Sequence, residues 1–311
     1  MEHRKESLAN RIARTFKGME FTLKMAYEKF TKLGYPEEQI RARIYEKLGV
    51  QFERIGRGLY ISPDDTVALV EGDGRDLSFL ADKSIDCIIT DHPWLDKKAN
   101  TGGTRCFANY ETFRYTLDDF KEKARVLKHG CFLVEMIPAE NETNYQYLYQ
   151  LKKMAEEAGF RYYAKVPWKK GTFISNTGRK SKNTEEMMIF SLGKARNLRP
   201  DVKKDKAEPN VKHYMSGAKG MLPTEFNVQP PGKKERIHQS EKPVELVTQL
   251  LDFLTNEEET VLDQFAGSGV IGEACMQKNR FAILIEKSKE NIKKIMDRLH
   301  LSHVQTIADA M

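Results

Sequence analysis

The sequence predicts an α/β fold: a parallel-rich central sheet with helices on its faces, preceded by a small separate domain. Three observations predict it. From Thr66 onward, seven short apolar segments alternate with amphipathic helical stretches, the rhythm of a parallel sheet covered on both sides. The first 62 residues follow a different pattern, helical periodicity and then a glycine-containing hairpin. With 311 residues, the chain is long enough for one large domain and one small one.

The small domain spans 1–62. Residues 18–33 read as an amphipathic helix with Met19, Leu23, Ala26, Tyr27 and Phe30 on one face, and Gly34, Tyr35 and Pro36 make a turn. A second helix is expected over 37–48, with Ile40, Ile44, Tyr45 and Leu48 inward and Arg41, Arg43 and Lys47 outward. Residues 52–61 read as a hairpin turning at Gly56 and Gly58 and carrying Arg54 and Arg57. Helix, turn, helix and hairpin resemble a winged helix-turn-helix, in which the second helix enters a DNA groove and the hairpin lies on phosphates. A protein-interaction module of the same shape is the alternative.

The large domain spans 63–311. Its expected strands are 67–72, 86–90, 131–136, 161–166, 186–191, 260–265 and 281–286, and its helices lie near 116–127, 144–158, 243–255, 270–278 and 288–299. The stretch 194–238 breaks the rhythm: it is rich in Pro, Gly and basic residues and reads as an insertion outside the sheet.

Charge is segregated within a net +6. Residues 1–62 hold 13 Lys and Arg against 8 Asp and Glu, residues 194–238 hold 11 against 5, and 165–182 hold six bases and no acid. Such runs suit a polyanion, because each neutralised phosphate releases counterions. No apolar run reaches the roughly 18 residues of a membrane span, and the charged N-terminus MEHRKESLANR is no secretory signal. Cys87, Cys106, Cys131 and Cys275 lie far apart without metal-ligand spacing, which predicts no metal site and a reducing, cytoplasmic setting.

Two segments carry chemistry. In TVLDQFAGSGVIG (260–272) an apolar strand runs into Gly267-Ser268-Gly269 and a helix, so a cofactor can approach the backbone and meet free N–H groups. Seventeen residues beyond Gly269 a second strand ends in Glu286, a carboxylate suited to both hydroxyls of a ribose. GSGVIG also fits the dinucleotide pattern, but only 39 residues follow Gly272, too few for the remainder of such a fold unless the chain is permuted; a purely structural glycine turn is the third reading. The pattern DxFxGxG, with Asp263 and Phe265, favours S-adenosylmethionine.

In DCIITDHPW (86–94) an apolar strand delivers Asp91-His92-Pro93-Trp94 at its C-terminal end, where open α/β sheets place their sites. An exocyclic base amine is a poor nucleophile, its lone pair being delocalised into the ring. Asp91 and the His92 carbonyl can each accept a hydrogen bond from the amine and free that lone pair, and Trp94 can stack on a flipped base.

With these elements the chain resembles the β-class S-adenosylmethionine-dependent DNA amino-methyltransferases over most of 66–300. VEGDGRDLSFLADKSIDCIITDHPW, RVLKHGCFLVEM, HQSEKPVELVTQLL, TVLDQFAGSG and AILIEKS carry the likeness, in the family's order. The resemblance implies a Rossmann-like seven-stranded methyltransferase sheet, S-adenosylmethionine as cofactor and double-stranded DNA as partner, with a homodimer compatible with it. It places Asp73 near the cofactor adenine, and Ser240 and Lys242 near the methionine carboxylate. It assigns sequence recognition to 194–238, with Lys203 and Lys204 on DNA.

Asp91 points to N6 of adenine; N4 of cytosine, an RNA amine, or a DNA-binding regulator with a spent catalytic fold are the alternatives. The absence of a Pro-Cys pair excludes C5-cytosine methylation. The family's tetrapeptide usually has proline second. Here His92 stands, and reads as an incidental replacement whose carbonyl still serves.

Overall fold

The structure is a computed structural model that describes residues 8–46, 48, 52–62, 66–94, 101–102, 105–106, 112–171, 184–197, 222–232, 236–237, 241–299, 301 and 303–310. The chain divides into two compact units, Met1–Asp65 and Thr66–Met311.

The first unit contains α1 (Leu8–Thr15), β1 (Glu20–Thr22), α2 (Leu23–Phe30), α3 (Glu37–Glu46), β2 (Glu53–Gly56) and β3 (Leu59–Ile61). Its strands form an antiparallel sheet in the order β1-β3-β2. The helix expected over 18–33 is two elements. Phe21 pairs with Tyr60 in the sheet and is fully buried, and Thr22 then starts α2, its hydroxyl accepting the Met25 N–H at 3.3 Å. Pairing with a distant strand outweighs the helical period here. Met19, expected inside, therefore falls before the helix and is exposed. Tyr45 is likewise exposed, while Ile40 and Ile44 fill the core. The helix α1 went unpredicted; its Leu8, Ala9 and Ile12 join that core.

The second unit contains β4 (Val67–Glu71), β5 (Ile85–Thr90), a two-stranded ribbon of β6 (Thr101–Gly102) and β7 (Arg105–Cys106), α4 (Leu117–Val126), β8 (Leu127–Pro138), α5 (Tyr145–Glu157), β9 (Phe160–Lys169), β10 (Thr184–Leu192), β11 (Phe226–Asn227), α6 (Val244–Leu254), β12 (Thr260–Asp263), α7 (Val270–Gln277), β13 (Phe281–Glu286), α8 (Lys289–Leu299), β14 (Gln305–Thr306) and α9 (Ile307–Ala310). Nine strands form one sheet in the order β11-β9-β10-β8-β5-β12-β13-β4-β14. All seven expected strands are present. The two extra are two-residue edge pieces, too short to show a period. β10 runs antiparallel to both its neighbours, and the remaining pairs are parallel. No helix among the described residues is long and apolar enough to cross a membrane.

Strand alternation sorts the core into two layers. Phe132, Val134 and Met136 of β8 face α6, α7 and α8, with Leu250, Ala274 and Ile295 opposite. Cys131, Leu133 and Ile137 face α4 and α5, with Phe120, Val126, Leu148 and Leu151 opposite. After β5 the chain moves to β8 on one side, and after β12 it moves to β13 on the other. The adjacent pair β5 and β12 is thus the switch point of the sheet, the place at which open α/β sheets form their ligand crevice outside the C-terminal strand ends.

Candidate active site

Both chemical segments end at that crevice. β5 and β12 are parallel neighbours, Val261 opposite Cys87 and Leu262 opposite Ile88, so Asp263 is level with Ile89, and Asp91 leaves the same end of the sheet two residues further on, level with Phe265. Phe113, whose N–H donates to the Pro93 carbonyl at 3.3 Å, lies 5.4 Å from the Phe265 ring and ties the two strand ends together.

Gly267 and Gly269 adopt φ of +53° and +77°, the left-handed region that only glycine enters freely, and Gly269 caps α7. A side chain at 269 would also press on Ile295, 3.0 Å away. Glu286, ending β13, accepts the Gly267 N–H at 2.8 Å and the Ser288 N–H at 2.8 Å, so it braces the turn. Ser268 is buried, and its carbonyl accepts from Arg298. Asp73 is half exposed, accepts the Arg75 N–H at 3.0 Å and lies 3.6 Å from Lys287.

Asp263 is buried. Burial raises its pKa well above the ordinary carboxylate value, Asp91 and Glu286 add to the rise, and the Phe265 N–H opposes it. Beside it the buried Gln264 Oε1 has no hydrogen-bond partner. An uncompensated carboxyl and an orphaned acceptor next to a glycine turn fit S-adenosylmethionine, whose sulfonium and amino groups are cations.

Asp91 Oδ2 accepts from Lys242 Nζ at 2.6 Å, and the same ammonium lies 3.1 Å from Glu185 Oε2. Lys242 precedes α6, so the segment before this helix reaches the end of β5. Burial would lower the Lys242 pKa, but Asp91 and Glu185 together raise it. Burial likewise pulls Glu185 up, but Lys242 and Lys170 bring it down to about 2. A depressed carboxylate contributes stability above its unfolded value of 4.5, and that contribution is lost as pH falls from there towards about 2. Urea unfolding should therefore show stability falling by up to about 2 kcal/mol over this window, after discounting for partial exposure. Glu185→Gln should flatten that slope; an unchanged slope would remove Glu185 as its source.

His92 is 1% exposed, with its Nε2 3.2 Å from the Tyr147 hydroxyl and its Nδ1 3.7 Å from Glu135 Oε2. Glu135 is ion-paired with Lys123, and both side chains are fully buried. Period-2 alternation puts Glu135 on the α4 face of β8, and Lys123, three residues after Phe120, lies on the inward stripe of α4. Lys123→Met would strand the Glu135 charge and should cost about 3–5 kcal/mol in a denaturant titration; a loss under about 1 kcal/mol would mean the pair is not buried as described.

Trp94 departs from expectation. It is buried, 6% exposed, with its ring 4.1 Å from His92 and edge-on to Tyr147 at 5.5 Å, because bridging to Phe113 turns it inward. It presents no open face to a base in this arrangement. The sequence does not single out Lys123, Glu135, Tyr147 or Glu185, nor Gly74, whose carbonyl accepts from Gln264 Nε2 at 2.6 Å. Glu135 did leave a signal, a lone charge inside the buried strand CFLVEM.

Of the expected DNA contacts, Arg41 and Arg43 are exposed on α3, and Arg54 and Arg57 are exposed on the β2–β3 hairpin. Arg43 is ion-paired with Glu46, and Arg54 Nε donates to the Gly56 carbonyl at 3.3 Å. Lys47, Lys203, Lys204 and Ser240 lie outside the described residues, as does most of 194–238.

The chain is similar to known proteins in sequence and in fold. The chain is 28% identical over 234 residues to the type II methyltransferase M.HpaI of Haemophilus parainfluenzae, covering 72% of this chain and 70% of that protein. Its fold resembles the M1.HpyAVI–SAM complex with a TM-score of 0.54 and 23% identity, over 76% of this chain and all of that one. It also resembles PvuII DNA methyltransferase (cytosine-N4-specific), with a TM-score of 0.51 and 16% identity over 78% and 97% of the two chains. A putative DNA modification methylase of Thermus thermophilus, in complex with S-adenosyl-L-methionine, matches with a TM-score of 0.51 and 16% identity over 77% and 97%. Residues 85–297, well over half of the chain and spanning both Asp91 and the glycine turn, match the N6/N4 family model described as DNA methylase, and the chain belongs to this family of S-adenosylmethionine-dependent DNA methyltransferases.

Proposed function

We propose that the chain methylates N6 of adenine within a specific sequence of duplex DNA, with the target base flipped out of the helix. One observation carries the reading: Asp91, a carboxylate and not a serine, stands at the switch point beside the glycine turn, with its Oδ2 held by Lys242. S-adenosylmethionine supplies a methyl group made electrophilic by its own sulfonium. Asp91 and the His92 carbonyl accept the two hydrogens of the amine, which directs the nitrogen lone pair at that methyl. The carboxylate is also the nearest base for the proton that the methylated amine must lose.

The test is transfer of labelled methyl to DNA, followed by digestion to nucleosides and mass measurement. N6-methyldeoxyadenosine is expected. N4-methyldeoxycytidine in its place would reassign the base. Cofactor binding with no transfer to any DNA would leave a DNA-binding regulator.

The small unit has helices and a hairpin in the order of a winged helix, with exposed arginines on both α3 and the hairpin, and we assign it to DNA contact. Arg41→Glu with Arg57→Glu should weaken DNA binding and shallow the slope of log K against log salt by about 2. An unchanged slope would move the phosphate contacts elsewhere, the basic stretch 194–238 being the next place to look.

A further inference from the structure

We propose that His92 is a positioning residue: its imidazole, held between Glu135 and Tyr147, locks the turn that carries Asp91 against the aromatic wall beside the cofactor loop. The proposal deepens the reading above and rests on Asp91 being the catalytic carboxylate.

The polar contacts are directional. The Tyr147 hydroxyl accepts the Tyr115 backbone N–H at 2.9 Å, so its own proton is available for His92 Nε2 at 3.2 Å. Nε2 then accepts, and the ring proton sits on Nδ1. That atom and Glu135 Oε2, 3.7 Å apart, are both buried, and neither has a hydrogen-bond partner, so each faces the other. Glu135 Oε1 is taken by Lys123, whose ammonium lies 3.6 Å from the centre of the Tyr115 ring. The circuit closes on itself: Lys123, Glu135, His92, Tyr147, Tyr115 and back to Lys123. Burial lowers the His92 pKa, with Glu135 opposing, which suits a neutral imidazole in this tautomer.

The circuit joins four elements that the site needs in register. His92 follows Asp91 on the turn after β5, Glu135 is opposite Thr90 on β8, Lys123 is on α4 and Tyr147 is on α5. Tyr115 and Phe113 pack at a tilt against Phe265 of the loop after β12, with ring centres at 6.5 Å and 5.4 Å. Burying an ammonium, a carboxylate and an imidazole together contributes little net stability, because desolvation offsets the attraction. What such a group supplies is one defined geometry. Where a proline would limit the turn through φ, His92 limits it through its side chain.

The test uses the full chain, tritiated S-adenosylmethionine and phage DNA from a methylation-deficient host. Tyr147→Phe removes one hydroxyl and keeps the ring, and circular dichroism and a thermal melt check that the variant is folded. It should lower kcat about tenfold while leaving KM for the cofactor within about twofold. His92→Leu should lose at least as much, and His92→Gln, which keeps an acceptor near Nε2, should recover most of it. Imidazole nitrogen NMR of the wild type should show the Nδ1–H tautomer for His92, whether or not the enzyme turns over. Wild-type turnover with unchanged kcat in Tyr147→Phe, or an Nε2–H tautomer, would overturn the positioning role. A wild type that methylates no DNA yet shows the Nδ1–H tautomer would instead refute the function on which that role rests.

Discussion

Asp91→Ala should reduce methyl transfer by at least about a thousandfold while leaving S-adenosylmethionine affinity within about threefold. The loss is large because the amine has no other means of localising its lone pair. Its two hydrogens need two acceptors, and the backbone carbonyl of His92 is only one of them. Binding survives because the glycine turn and Glu286 hold each other through the Gly267 N–H and do not involve Asp91. The fold survives because Lys242, deprived of Asp91, keeps Glu185 at 3.1 Å. Single-turnover transfer and calorimetric binding together decide the point. Retained turnover would remove Asp91 from the chemistry. Loss of binding in step with turnover would show that Asp91 serves the cofactor instead.

Gly74→Ala should abolish cofactor binding, raising Kd by at least about a hundredfold, through a backbone clash with the loop after β12. A Cβ at 74 would overlap the backbone carbonyl oxygen of Gln264 and press on the Phe265 ring. A backbone atom cannot swing aside as a flexible side chain can, so the 72–76 loop must lift away from the loop after β12. That movement breaks the hydrogen bond from Gln264 Nε2 to the Gly74 carbonyl, 2.6 Å long. It also strains the Arg75 guanidinium, bound to both oxygens of Asp119 at 2.8 and 2.9 Å. Gly34→Ala is the control. Its φ of +88° imposes strain of about 1 kcal/mol, but nothing lies within 4 Å of the added carbon and the cofactor site is untouched. Wild-type affinity in Gly74→Ala would show that the two loops are not locked together.

The large unit was legible because its signals are local. Most of its strands carry a short apolar run, such as VALV in β4, CFLV in β8 and FAILI in β13, and its helices carry apolar stripes. Thr116 and Asp119 even announce the start of α4 as a capping box. The small unit was less so. Residues 18–33 have helical spacing throughout, and only pairing of 20–22 with β3 converts their first part into strand. The position of Trp94 at the end of Asp91-His92-Pro93-Trp94 suggests a base-stacking ring, but Trp94, bridged to Phe113 nineteen residues away, is buried in the core.

The sequence by itself determined the chemistry available: a carboxylate at a strand end, a glycine turn before a helix, a ribose-suited glutamate, and basic stretches for a polyanion. Periodicity and residue type are properties of neighbouring positions, so they survive without coordinates. Only the tertiary structure decided which side chains hold that chemistry in place. Lys242 reaches Asp91 across 151 positions, and Gln264 reaches Gly74 across 190. Glu135 meets His92 because β8 happens to lie beside β5. Contacts of this kind depend on strand order and on desolvation in a closed core, and neither is written in any local pattern of residues.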